Sequence, residues 1–250
     1  MTKKQIHKYL FYIFILSLLL SMANSFYFNP VLDKDSIGYM AMAKYISSGN
    51  VDKACQIRPE VPMLYQYILS LGIKIGFPLE LFGRFLSIIC GAFLTYLIFY
   101  IARFFLSDKF SLVSALLLIC NPLLIDSNSA VLRDSFLLFV IALSLYFLLS
   151  AVKEFRIYKY LIAGIFAGIS AQTRIAGLDV VVFFPLYICF SFIFFKKYDQ
   201  MIFYRNTIIG FIIFIIAFLV ITLPIQHYFA SHGSIYTIFL GRKLLDIYLI

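Results

Sequence analysis

The feature that most constrains this chain is a series of apolar runs, several of them about 20 residues long, the length of one helical crossing of a bilayer. Hydrophobic residues make up 63% of the 250 residues, and charged residues only 13%. A soluble domain is about one quarter charged. The sequence therefore predicts an all-α polytopic membrane protein and excludes a soluble globular domain.

The apolar runs predict about seven transmembrane helices within a single membrane domain, residues 1–250. Gly164 and Gly168 have the spacing that lets two membrane helices approach closely. The predicted segments are the first span at 9–28, a long extracytoplasmic loop at 29–80, six further spans within 81–224, and an outer tail or the start of an eighth element at 225–250. The six spans are Leu81–Phe104, Phe110–Ile125, Ser135–Val152, Tyr158–Thr173, one ending near Phe195, and Asn206–Pro224. The loop is predicted to carry two short surface helices, Ser36–Ser47 and Val61–Ile75.

The first span has an alternative interpretation as a cleaved signal peptide. A basic leader, MTKKQIHK, precedes the apolar core Tyr9–Leu20, and Ser21-Met22-Ala23 resembles a cleavage site. Apolar residues resume at Phe26, which favours an uncleaved span. In both cases the loop that follows is delivered to the far side of the membrane.

The distribution of basic residues predicts the orientation. With the N-terminus in the cytoplasm, the short outer turns hold only Arg133 and Arg174, while the other basic residues of the short connections are inside. Of the 12 acidic residues, only Asp108, Glu154 and Asp199 fall inside. We therefore expect a multi-pass protein of the cell (inner) membrane, with its chemistry on the acidic outer face. The inner basic residues are Lys3, Lys4, Lys8, Arg103, Lys109, Lys153, Arg156, Lys159, Lys196, Lys197 and Arg205.

Asp35 is the first candidate catalytic residue, because it lies just beyond the first span and Tyr39 follows one helical turn later. A carboxylate at a membrane surface, partly shielded from water, can act as a general base toward a hydroxyl or amine acceptor. The alternative role is structural, since Asp is a favoured N-cap and Asp35 precedes the predicted helix 36–47. Asp33 is the substitute if the base is not Asp35.

Arginines near the outer face form the second candidate group. Guanidinium groups bind phosphate or pyrophosphate bidentately, so these side chains suit an anionic substrate. The alternatives are internal pairing, of Arg133 with a neighbouring acid and of Arg174 with Asp179, or snorkelling to lipid headgroups. The candidates are Arg58 with the adjacent Glu60, Arg84, Arg133 with the adjacent Asp134, and Arg174. The sequence has no CxxC and no Cys/His cluster, so we predict no metal site.

A series of short motifs in fixed order resembles the C-type, integral membrane glycosyltransferases. The motifs are DSIGYMAMAKYI, RPEVPMLYQYILSL, GRFLSIICGAFLTYLIFYIARFF, CNPLLIDSNSAVLRDSFLLFVIALSLYFL and AGIFAGISAQTRIAG. They are most similar to the branch that contains the dolichyl-phosphate-mannose protein mannosyltransferases and the bacterial lipid A aminoarabinose transferases. The resemblance covers about Leu20 to Phe190.

The resemblance implies transfer of a sugar from a polyprenyl-phosphate donor to a lipid, glycan or protein acceptor on the outer face, with inversion. It implies that Asp35 is the base and that Arg84 and Arg174 contact the donor phosphate, with Asp134 in a supporting position. No metal is required where arginines neutralise the phosphate, although some related enzymes use one.

Three features depart from the pattern of the relatives. Many have an Asp-Glu pair where this chain has Asp35-Ser36, and many have Glu at the position of Asp134. Relatives are also about twice as long, so we expect the chain to lack their C-terminal half.

Two other functions remain open at this stage. The first is a transporter or lipid flippase, which would also carry charges at membrane depth but commonly shows internal repeats and broken helices. The second is a truncated, inactive remnant. The long outer loop favours the enzyme.

Overall fold

The computed structural model describes residues 2–28, 31–154, 156–194 and 200–234, excluding the side chains of residues 3, 187–194 and 200–204. The predicted end of the sixth span near Phe195, the basic stretch after it and most of the predicted tail lie outside these residues. Every regular element within them is helical, which confirms the all-α prediction. The helices are α1 Lys3–Ala23, α2 Lys34–Ser47, α3 Val51–Ile57, α4 Leu64–Lys74, α5 Leu79–Ala102, α6 Asp108–Ile119, α7 Pro122–Ser129, α8 Arg133–Glu154, α9 Ile157–Thr173, α10 Asp179–Phe194 and α11 Gln200–Ser231, with a π-helical turn at Asn24–Phe28 and a 3₁₀ turn at Ile175–Leu178.

Four of the described helical segments are long and apolar enough to cross a membrane, and a fifth crossing results if α6 and α7 form one bent span. The predicted count of seven spans is therefore not confirmed. Two of the predicted spans correspond to helices shorter than the usual crossing of about 20 residues, since α9 has 17 residues and α10 has 16. The four segments are Lys4–Phe28, Leu79–Ala102, Arg133–Glu154 and Arg205–Ser231.

The first helix begins earlier than the predicted span at residue 9. Thr2 caps it, because the Thr2 side chain accepts a hydrogen bond from the Gln5 backbone N–H at 3.3 Å and the Gln5 side chain accepts one from the Thr2 backbone N–H at 2.8 Å. This reciprocal capping box satisfies two backbone donors at the helix start. The basic leader is therefore the first part of α1.

The predicted third span, 110–125, is broken in the structure. Asn121 caps α7 by accepting a hydrogen bond from the Leu123 N–H at 3.0 Å, and Pro122 occupies the first position of that helix. A residue before proline avoids the helical conformation, so α6 cannot continue through Asn121. The axes of α6 and α7 consequently differ by 61°, and the polar stretch 126–129 lies within α7.

The loop 29–80 folds into three helices rather than two, because α3 lies between the two that the sequence predicts. Their apolar faces pack together around Tyr39, Met42, Tyr65 and Leu69, all of which are buried. We call α2, α3 and α4 the cap. Its helices share one core and therefore pack as one unit, while their predicted position on the membrane surface remains a prediction.

The predicted close approach at Gly164 and Gly168 is confirmed. A Cβ atom added to Gly164 would lie 2.3 Å from the backbone oxygen of Phe214, and one added to Gly168 would lie 2.8 Å from Ile221 Cβ. Glycine at both positions therefore lets α9 pack directly on α11.

Both ends of the helix bundle carry charged residues. The starts of α5 and α8 and the C-terminus of α9 lie at one end, together with the cap, and we call this the cap end. The last residues of α5 and α8, at Ala102 and Glu154, lie at the other end. The predicted orientation across the membrane and the assignment of the chain to one domain remain predictions.

Candidate functional site

Asp35 lies in the first turn of α2 and pairs with Arg58, which follows the last residue of α3. Arg58 Nη1 donates to Asp35 Oδ1 at 2.8 Å. The Asp35 side chain is 53% exposed and the Arg58 side chain 24%. The hydrogen bond to Asp35 is the main reason that the pKa of Arg58 lies above its usual value. The carboxylate is therefore more open to water than predicted, and Arg58 balances its charge.

The capping role proposed for Asp35 belongs to Asp33. Asp33 Oδ1 accepts a hydrogen bond from the Ser36 N–H at 2.6 Å, and Asp33 has the extended backbone of an N-cap. An N-cap stands immediately outside its helix, whereas Asp35 is already within the first turn. The carboxylate of Asp35 is therefore not used to cap the backbone N–H groups of α2.

Tyr39 is buried, and two guanidinium groups lie over its ring. The guanidinium carbon of Arg58 is 5.8 Å from the ring centroid, and that of Arg133 is 5.5 Å from it. These separations are typical of cation–π contacts. Burial raises the pKa of the Tyr39 hydroxyl, while Arg133 acts in the opposite direction. The ring thus holds arginines from the cap and from the membrane bundle next to each other.

Arg174 pairs with Asp134, not with Asp179 as one sequence interpretation suggested. Arg174 is at the C-terminus of α9, and its Nη1 donates to Asp134 Oδ1 in the first turn of α8. Asp134 follows Arg133, so this pair extends the group around Tyr39 to α9. We call these six residues the charged cluster: Asp35, Tyr39, Arg58, Arg133, Asp134 and Arg174.

The charged cluster has a surplus of positive charge, since it contains three arginines and two aspartates. Arg133 Nη1 is buried and makes no hydrogen bond to the described residues. A buried donor without an acceptor costs about 1–3 kcal/mol. An anion placed beside Arg133 would remove that cost and offset the surplus charge.

Arg84 lies at the cap end, but its described hydrogen-bond partners belong to the helix bundle. Its side chain is 3% exposed, and Nε donates to Glu80 at 2.9 Å. Nη1 donates to Ser25 O and Oγ at 2.9 Å and to Ser129 O at 3.2 Å. These bonds connect α5 to the π turn after α1 and to α7. The predicted role of Arg84 in phosphate binding remains a prediction, and the described bonds give it a structural role.

The remaining predicted residues lie at the edge of the charged cluster. Glu60 is exposed, and its charge contributes to raising the pKa of Arg58. Asp33 lines an open pocket of about 430 Å³, which Asp126 also lines. Among the described residues, no group of three or more His, Cys, Asp or Glu side chains is placed to hold a metal ion, and the expectation that no cofactor is required remains a prediction.

An apolar groove of about 750 Å³ runs beside α8. Among the described residues, Asp179 at the start of α10 is the one charged residue of its lining, and Ile101 and Phe105 line it near the end of α5. The groove therefore extends from the cap end toward the opposite end of the bundle. Its walls are formed mainly by Leu138, Ile141, Leu145, Leu149, Val180 and Phe183.

The sequence places Arg133 among the candidate anion-binding arginines, but it does not predict the contact with Tyr39. The signal is an arginine directly before an aspartate at the start of a long apolar helix. An ionisable group at this depth usually faces a cavity or a partner. Only the folded chain shows that the aromatic partner is Tyr39, because 94 residues separate the two.

Comparison with protein families gives one match. The model of a family described as dolichyl-phosphate-mannose-protein mannosyltransferase matches residues 60–229. The match includes α4 to α9, and with them Arg84, Asp134 and Arg174, whereas Asp35, Tyr39 and Arg58 precede it. No curated protein and no solved structure matches the chain.

Proposed function

The chain belongs to the dolichyl-phosphate-mannose-protein mannosyltransferase family, and from this premise we propose that it transfers a sugar from a polyprenyl-phosphate donor. The acceptor is a hydroxyl or amine of a lipid, glycan or protein. Transfer takes place at the cap end, on the extracytoplasmic face of the cell membrane, with the N-terminus in the cytoplasm.

The observation that carries the proposal is the charged cluster at one end of a membrane-depth apolar groove. A polyprenyl-phosphate sugar has a long apolar tail, a phosphate at the membrane surface and a sugar beyond it. The groove suits the tail, and the surplus positive charge of the cluster suits the phosphate. A soluble sugar nucleotide has no apolar tail that could bind in the groove.

The proposed reaction is a direct displacement at the anomeric carbon, with inversion. The acceptor oxygen or nitrogen forms a bond to that carbon as the bond to the phosphate oxygen breaks. The acceptor proton goes to the Asp35 carboxylate, and the electron pair of the broken bond stays on the departing polyprenyl phosphate. Because the Asp35 side chain is half exposed, an acceptor can reach it without movement of the cap core.

The arginines stabilise the leaving phosphate. Its negative charge increases as the bond breaks, so guanidinium groups fixed beside it lower the energy of the transition state. Arg133 has a buried N–H available, while Arg58 and Arg174 can share their N–H groups between a carboxylate and the phosphate. In this proposal Arg84 positions the start of α5 and is a phosphate ligand only if it releases Glu80.

The direct test is transfer of labelled sugar from polyprenyl-phosphate donors by the purified chain and its Asp35→Asn variant. Removing a general base lowers the rate about 10²–10⁴-fold, so we expect the variant to lose at least two orders of magnitude in kcat. The fold should persist, because Asp35 is a surface residue outside the cap core.

Two matched variants serve as controls. Asp52→Asn makes the same change at an exposed carboxylate of α3 and should retain full activity. Asp33→Asn tests the alternative base without removing the N-cap, because Asn caps as well as Asp. Loss of activity in Asp33→Asn with normal activity in Asp35→Asn would reassign the base. Absence of transfer by the wild-type chain, with every donor offered, would overturn the proposed function.

A further inference from the structure

The bundle has a second polar pocket, at the end opposite the charged cluster. Its volume is about 360 Å³, and it lies between the last turns of α5 and α8. Helix α8 has 22 residues, which is about 30 Å of helix. Both α5 and α8 are candidate membrane spans, so the pocket lies at the other membrane surface. Its lining includes Tyr100, Arg103, Phe104, Tyr146, Ser150 and Lys153.

The ends of the two helices each contribute one cation to this pocket, and each carboxylate nearby is already paired with a cation. Arg103 Nε pairs with Asp108 at 2.6 Å. Glu154 accepts a hydrogen bond from Lys159 Nζ at 2.7 Å and pairs with Arg156 at 3.4 Å. Two cations therefore already compensate Glu154, although it also lines the pocket.

Lys153 is the cation that lacks a carboxylate. Its Nζ lies 5.5 Å from the centroid of the Phe104 ring, and among the described residues it forms no ion pair. With Arg103, Lys153 and Lys159 set against Asp108 and Glu154, the pocket has a surplus of one positive charge, before Arg156 at its edge is counted. The pocket thus favours a ligand with negative charge.

The aromatic walls indicate that this ligand is part of a lipid. Tyr146 packs edge-on against Tyr100 and against Phe104, with both pairs of ring centroids 6.1 Å apart. Tyrosine at a membrane surface has its ring at headgroup depth and its hydroxyl toward water. A free phosphate ion would gain nothing from such walls, whereas the glycerol and first methylenes of a phospholipid would contact them.

We propose that this pocket binds the phosphate group of an anionic phospholipid headgroup, with Lys153 and Arg103 as its ligands. Basic pockets between transmembrane helices bind anionic headgroups in this manner. The proposal is independent of the transferase reaction, because the pocket and the charged cluster lie at opposite ends of α8. The lipid would hold the ends of α5 and α8 together.

The test uses the absence of tryptophan from the sequence. A Tyr146→Trp substitution places a single tryptophan in the pocket wall, and its fluorescence is excited at a wavelength that tyrosine does not absorb. The chain is reconstituted in phosphatidylcholine with brominated acyl chains, which quench the tryptophan. Unbrominated phosphatidylglycerol is then added, and recovery of fluorescence gives its affinity relative to phosphatidylcholine. A parallel titration with excess inorganic phosphate distinguishes the free ion from the lipid.

Both lipids have a phosphate, but phosphatidylcholine also has a choline cation, which the surplus positive charge of the pocket disfavours. We therefore expect about tenfold selectivity for phosphatidylglycerol, equivalent to about 1.4 kcal/mol. Lys153→Gln with Arg103→Gln should abolish this selectivity. Lys8→Gln should retain it, because Lys8 also lies near an aromatic ring on α1, which packs against α5 and α6, but does not line the pocket.

Three outcomes would overturn the proposal: no selectivity in the wild-type background, equal selectivity in the double variant, or loss of selectivity when inorganic phosphate is added. Should the double variant not fold, Lys153→Gln alone is decisive, because it leaves the Arg103–Asp108 pair intact. Lys153→Arg should preserve the selectivity.

Discussion

Arg84 and Arg133 occupy comparable places, each near the start of a long apolar helix at the cap end, but their surroundings differ. Arg84 is buried and donates hydrogen bonds to Glu80, Ser25 and Ser129. Arg133 faces the ring of Tyr39 and has a buried N–H without an acceptor among the described residues. A guanidinium whose donors are satisfied within the protein supports the fold, whereas one with an unused donor can receive a ligand.

The strongest test of this comparison is the stability of an Arg84→Met variant. The substitution leaves the acceptors on α5, on α7 and on the π turn after α1 without their donor. Breaking a buried pair from one side costs about 3–5 kcal/mol, so we expect a loss near the lower limit, because Glu80 is partly exposed. Chemical unfolding in detergent, followed by circular dichroism, measures the loss. Wild-type stability of Arg84→Met would show that its bonds are dispensable.

The converse test is Arg133→Met, which should lower kcat/KM about 10–100-fold, because a charge-assisted hydrogen bond to the donor contributes about 1.5–3 kcal/mol. The free energy of unfolding should fall much less in Arg133→Met than in Arg84→Met. No described hydrogen bond is broken when Arg133 is replaced, so no described acceptor loses its donor. Arg133→Lys should restore part of the activity. If Arg133→Met impairs stability but not kcat/KM, its role is structural and the comparison fails.

The apolar groove allows a third test, which separates the donor's tail from its phosphate. Leu145→Trp narrows the groove midway along α8, and we expect KM to rise about tenfold for a long polyprenyl donor, equivalent to about 1.4 kcal/mol of lost tail burial. A donor with a short prenyl chain should be unaffected. Leu161→Trp is the control, because Leu161 is exposed on α9 and does not line the groove. Equal effects on both donors would place the tail elsewhere.

The smallest effect is expected at the Arg174–Asp134 pair, whose side chains are 46% and 33% exposed. Exposed ion pairs contribute roughly 0.2–1 kcal/mol. A double-mutant cycle of Arg174→Gln and Asp134→Asn should therefore give a coupling energy in that range for unfolding. The same cycle on kcat/KM should show whether the pair acts as a unit on the donor. A coupling energy for unfolding well above that range would make this pair structural, like Arg84.

Local sequence rules predicted the helices better than they predicted the crossings. The apolar stretches predicted α5 and α8 to within two residues at each end, because a long apolar run has few alternatives to a helix in a bilayer. Helix α11, Gln200–Ser231, extends well beyond the predicted Asn206–Pro224 at both ends. The third predicted span is interrupted at Asn121-Pro122, a break that its apolar average concealed, and it is a crossing only if α6 and α7 form one bent span. Helix α3 was missed because it has only seven residues and no apolar repeat long enough to detect.

The candidate site was predictable in its residue types but not in its partners. The sequence supplied Asp35, Arg58, Asp134 and Arg174 as candidates, and the structure brings these four into one cluster. The structural alternatives that it offered placed the N-cap at Asp35, not Asp33, and paired Arg174 with the nearer acid, Asp179, not with Asp134. Both alternatives chose the residue that is nearer in sequence. In the structure, the N-cap is the aspartate two residues earlier, and Arg174 pairs with an acid 40 residues away.

The sequence by itself determined that the chain is helical, that it belongs in a membrane and which family it joins, because apolar length and motif order are properties of the linear chain. Only the tertiary structure decided which arginines are satisfied and which have donors to spare. The physical reason is that the N–H groups of a guanidinium are satisfied only by hydrogen-bond acceptors within about 3 Å of them. For Arg84 and Arg133 those surroundings come from helices far apart in the sequence.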